Sequence, residues 1–144
     1  MQYLRLAVSL AIVLAAVAVA HPSHSSVHSE FDLEHLAGFS CRTEENPTGP
    51  RIIVRLQSET EAEISIYENF VLIASISTRA DLSTLAMGDL VFSSESFGLV
   101  INPRPTERNV LNGEKIKLYP ADFLAVLKGG RSMNGATTCV VLRK

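Results

Sequence analysis

From Phe39 onward, apolar and polar positions alternate with a period of two, the pattern of half-buried β-strands. In "RIIVRLQ" (51–57), Ile52, Val54 and Leu56 share one face, while Arg55 and Gln57 take the other. "EAEISIYE" (61–68) alternates more sharply, with Ala62, Ile64 and Ile66 opposed to Glu61, Glu63, Ser65 and Tyr67. Glu68, Asn69 and Phe70 predict a tight turn, because Asn tolerates positive φ, and "VLIASIS" (71–77) then runs back as a third strand. The three segments predict an antiparallel meander. "RADLSTLAMGD" (79–89) has no alternation and reads as a helical turn or a wide loop.

"LVFSSESF" (90–97) and "GLVINP" (98–103) predict two more strands, the second ended by Pro103. "NVLNGEKIKLYP" (109–120) contains Asn112-Gly113, a strong hairpin signal, followed by Ile116 and Leu118 pointing inward and Lys115 and Lys117 outward. "DFLAVLKGG" (122–130) and "ATTCVVLRK" (136–144) complete the series across a glycine-rich loop at 129–135. With about eight short strands and no long helical pattern, the expectation is an all-β domain, a small antiparallel barrel or a sandwich.

Cys41 lies in the first of these strands and Cys139 in the last. A disulfide between them would tie the two ends of the sheet together, which suits a barrel that closes on itself. For a loop of about 100 residues the chain-entropy account gives roughly 4–5 kcal/mol. Such a bond requires an oxidising compartment, and the amino-terminal residues predict one. "MQYLRL" carries Arg5 and no acid, an uncharged apolar run follows, and Ala18-Val19-Ala20 closes it with small residues at alternate positions. Residues 1–20 therefore read as a secretory signal peptide cleaved after Ala20, leaving no membrane anchor and placing the protein in the periplasm or outside the cell. Residues 21–37 read as a flexible His- and Ser-rich leader, and 38–144 as a single β domain.

The formal charge of −2 becomes one unit more negative once Arg5 is removed. No run of Lys and Arg stands out, so nucleic acid is not an expected partner. Every histidine lies in "HPSHSSVHSEFDLEH". His21, His24, His28 and His35 could bind Cu or Zn loosely through imidazole nitrogen, although Pro22 and the serines disfavour the helix that would align them. Cleavage after Ala20 would also expose His21 as an amino-terminal copper chelator, but such a site needs a further histidine from the core, and residues 39–144 contain none. The same lack removes histidine-based nucleophilic catalysis from the folded region. Glu59, Glu61 and Glu63 read as a solvated strand face rather than a catalytic carboxylate pair.

Charged residues in the loops remain. Arg104 stands between Pro103 and Pro105 and so has a stiff, extended backbone. Arg108 follows in the same segment, and Arg131 lies in the glycine-rich loop. The resulting expectation is a non-enzymatic binding or inhibitor module without a cofactor, engaging a protein or small-molecule partner through Arg104, Arg108 and Arg131. The alternative is a Cu- or Zn-binding protein that uses the leader histidines.

Overall fold

The computed structural model describes residues 32–43, 46, 48–80, 82 and 88–144. Residues 1–20, read above as a signal peptide, and His21, His24 and His28 lie outside the described residues, as does most of the stretch between residues 81 and 87. Nine strands form among the described residues: β1 Leu36–Arg42, β2 Arg51–Leu56, β3 Glu61–Glu68, β4 Val71–Ala80, β5 Leu90–Ser93, β6 Phe97–Ile101, β7 Thr106–Asn109, β8 Lys115–Val126 and β9 Ser132–Arg143.

Eight of them close into an antiparallel barrel. The ladder runs β6-β5-β4-β3-β2-β1-β9-β8, and β6 pairs with β8 to complete the ring. Closure gives each of the eight strands a neighbour on both sides, although β4 meets β5 only at Arg79 and Ala80. Alternate side chains fill the interior. Phe39, Ile52, Val54, Ile64, Ile66, Leu90, Phe92, Leu99 and Ile101 are buried, and the rings of Phe39 and Phe92 meet edge to face at 6.1 Å. Thr78 is a polar residue in this core, and its hydroxyl donates to the Ala62 carbonyl at 3.2 Å.

Cys41 and Cys139 are direct register partners between β1 and β9 and are joined by a disulfide. First and last strands are thus linked covalently, as their positions in the sequence predict. Gly38 marks a bulge at the start of β1, where the register to β9 shifts. Its φ of 154° falls in a range that L side chains rarely adopt, and a Cβ there would lie 1.8 Å from the Val54 carbonyl oxygen. Only glycine lets the two backbones approach so closely. Residues 32–35, assigned to the leader from the sequence, form a turn against the barrel. The His35 carbonyl accepts from the Lys144 amide at 2.9 Å, and Leu36 beyond it is buried in the core.

Two expectations for the carboxy-terminal half are corrected. β8 is one strand through Pro120, not two segments broken there. Leu118 is its last residue paired to β7, and Ala121 is its first paired to β6. The Pro120 carbonyl accepts from the Asn102 amide on that same edge at 2.8 Å. A strand residue turns its nitrogen and oxygen to one side, so the N–H that proline lacks falls where β8 changes neighbours, and the ladder to β9 is intact. The second correction concerns Ile116 and Leu118. They alternate with Tyr119, Ala121 and Phe123, which are buried in the barrel, so they project from its outer face. Leu118 is nonetheless buried on that outer face.

Candidate functional site

The barrel interior is filled by side chains, and a concavity bordered by several strands lies outside it. Its floor consists of outward positions of β1, β2, β3 and β9 in two cross-strand rows. Ser40 pairs with Ile53 on one side and Val140 on the other, giving the first row. Arg42 pairs with Arg51 and Thr138, and Arg51 in turn with Tyr67, giving the second. The β7–β8 hairpin supplies one wall through Ile116, Leu118 and Arg108, with Arg108 directly opposite Ile116. Thr48 and Gly49 of the β1–β2 loop and Asn69 and Phe70 of the β3–β4 turn supply the rest. The groove encloses about 550 Å³, within the range of small-molecule sites.

Local sequence explains how these parts are placed. Arg42 follows the inward Cys41 and Arg51 precedes the inward Ile52, so both guanidinium groups emerge on the outer face. The Arg51 Nε donates to the Ser40 hydroxyl at 3.3 Å, drawing the arginine across β1. Gly49 packs against Thr43 so closely that a Cβ would lie 2.5 Å from the Thr43 hydroxyl oxygen. That hydroxyl is buried and has no hydrogen-bond partner among the described residues. Asn69 and Phe70 have φ of 50° and 65°. Both central residues of the turn are thus left-handed, as a two-residue hairpin with right-handed strand twist requires. Asn adopts this conformation readily, whereas for phenylalanine it is rare.

The three arginines anticipated as contacts are separated in the fold. Arg108 lines the groove. Arg104 is exposed in the β6–β7 connection, where its amide donates to the Asn102 side chain at 2.9 Å. Arg131 makes two hydrogen bonds to the Glu68 carboxylate, one of them 3.0 Å long. Hydrogen bonding and charge from Arg131 hold the Glu68 carboxyl below its ordinary value of 4.5, and the same pairing raises the Arg131 guanidinium. The pair ties the β8–β9 loop to the end of β3, beside the turn that carries Phe70. Arg131 therefore lies beside the turn at the groove and is not among the residues that line it.

Arg42 and Arg51 were not anticipated. Each sits at a strand end next to an inward residue, but only the β1–β2 register makes them neighbours. Of the leader histidines, His35 is the one described. Its Nδ1 lies 2.7 Å from the Asp32 carboxylate, and that hydrogen bond lowers the Asp32 carboxyl from its ordinary 3.8. Among the described residues no group of three or more His, Cys, Asp or Glu gathers as metal ligands would.

The chain matches no protein family and no curated protein. Among solved structures it is similar to a chain of a rhizavidin–biotin complex. The identity is 7%, over 76% of this chain and 92% of that one, with a TM-score of 0.33.

Proposed function

We propose that this protein is an exported, non-enzymatic binding module that holds its ligand in the groove on the outside of the barrel. One observation carries the reading: a concavity of ligand size, largely apolar, assembled from several strands on a closed and solid barrel. Sites of this kind combine an apolar surface with a few convergent polar groups, here Ser40, Tyr67, Thr138 and the arginines. Export is supported by the apolar run before Ala20 and by the Cys41–Cys139 bond.

The test is a fragment screen read by amide chemical shifts in the purified protein. Ligands are expected to perturb Ser40, Ile53, Val140 and Leu118 together. A screen in which nothing perturbs these positions, or in which hits gather around Arg104 instead, would move function away from the groove.

A further inference from the structure

We propose that the groove takes a small amphipathic anion, with its carboxylate or phosphate between Arg42 and Arg51 and its apolar body on Ile53 and Val140. This rests on the reading of the groove as the binding site and adds the chemistry of the ligand.

Charge is the first argument. Arg42 and Arg51 stand directly opposite one another across the β1–β2 ladder, an arrangement that is unfavourable for like charges. Among the described residues that line the groove none is acidic. The chain as a whole is net negative, so the cluster is not a sample of a basic surface. Paired guanidinium groups offer planar, two-point hydrogen bonding to carboxylate and phosphate, and an anion between them turns a repulsion into two charge-assisted contacts.

The surface beneath the charges is the second argument. Ile53 and Val140 flank Ser40 in the row next to the arginines, and Leu118 and Ile116 continue the apolar surface onto the β8 wall. A bare inorganic anion would leave this surface wet, whereas a ligand with an acyl or aryl body covers it.

Phe70 is the third. It is 88% exposed, with φ at 65°. It therefore adopts a conformation that bulky residues avoid while burying almost nothing in the free protein. Strain of this kind gathers at ligand clamps, and Phe70 lies on the groove at its arginine end, past Tyr67, placed to cover a ligand there.

The experiment titrates the purified protein with decanoate, decyl phosphate, decanol and decylammonium, reading affinity by calorimetry and position by amide shifts. Decanoate or decyl phosphate is expected to bind at least about tenfold tighter than decanol, as charge-assisted hydrogen bonds imply, and decylammonium weakest. The tighter of the two anions identifies the head group. Arg42→Gln and Arg51→Gln should each erase that advantage, while Arg104→Gln leaves it intact. Phe70→Gly should weaken binding of the anion and raise the melting temperature, an opposition that a purely structural Phe70 would not show. Equal binding of decanol, preference for decylammonium, or indifference to both arginine substitutions would overturn the proposal. So would binding to phosphatidylglycerol vesicles with no binding of the monomeric anions, since the surface would then serve membrane docking. If these anions fail while other fragments occupy the groove, the ligand chemistry is wrong and the binding module stands; if no fragment binds there, both fall.

Discussion

Arg42 and Arg51 are direct cross-strand partners, and their side chains leave the same face of the barrel beside an apolar floor. Opposed like charges in a sheet cost about 0.2–1 kcal/mol, a stability loss that the fold itself does not require. In ligand-free protein at low ionic strength, Arg51→Ala is therefore expected to leave the unfolding free energy unchanged or raise it by up to about 1 kcal/mol. The gain should shrink as salt screens the pair. Denaturant titration at two salt concentrations measures it. A loss larger than about 1 kcal/mol would mean that the Ser40 hydrogen bond outweighs the repulsion.

The buried Cys41–Cys139 bond joins the strands that close the ring. Replacing both cysteines with serine is expected to cost about 2–5 kcal/mol. Because both residues are fully buried, dithiothreitol should reduce the native protein slowly and the denatured protein quickly. Thiol trapping with and without denaturant reads both rates, and equal rates would show that the bond is open to solvent in the native state.

Gly38→Ala places a methyl group against the Val54 carbonyl at a φ unsuited to alanine. The expected loss is at least about 2 kcal/mol, from backbone strain and displacement of the β1–β2 ladder. Thermal unfolding would detect it as a fall in Tm of several degrees. An unchanged Tm would mean that β1 relaxes to another register.

Acid should loosen the turn that carries Phe70. Glu68 has its carboxyl depressed below 4.5 by Arg131. A depressed carboxyl contributes stability above its unfolded-state pKa, and that contribution is lost as pH falls through the folded value. The Glu68–Arg131 contribution is therefore present at neutral pH and disappears below about pH 4.5. Asp32, lowered by its hydrogen bond to His35, acts with the same sign. Arg131→Gln separates the two. It should flatten the acid dependence assigned to Glu68, leave that of Asp32, and broaden the amide signals of Asn69 and Phe70.

Much of the barrel was legible residue by residue. Ala62, Ile64 and Ile66 alternate with polar neighbours and do face the core, since a period of two has a single strand solution. Asn69 marked its turn because few residues tolerate positive φ there. The cysteines at the two ends of the series marked the strands that meet. The shared face of Ile116 and Leu118 was legible, but which side of the sheet it takes was not: alternation alone does not show which face meets the core. The pairing of β6 with the distal half of β8, which takes the strand past Pro120, depends on contacts distant in sequence.

The sequence by itself thus determined the strands, their half-buried character and the cysteine pair, because local alternation, turn chemistry and cysteine position are properties of short segments. The groove exists only once distant strands have paired. Arg42 and Arg51 become opposed through register across the β1–β2 loop, Val140 joins Ile53 through the β1–β9 ladder, and Arg108 and Leu118 reach the same face because the β7–β8 hairpin extends beyond the ring. Register and ring closure are set by the packing of the whole core, and no short segment carries that information.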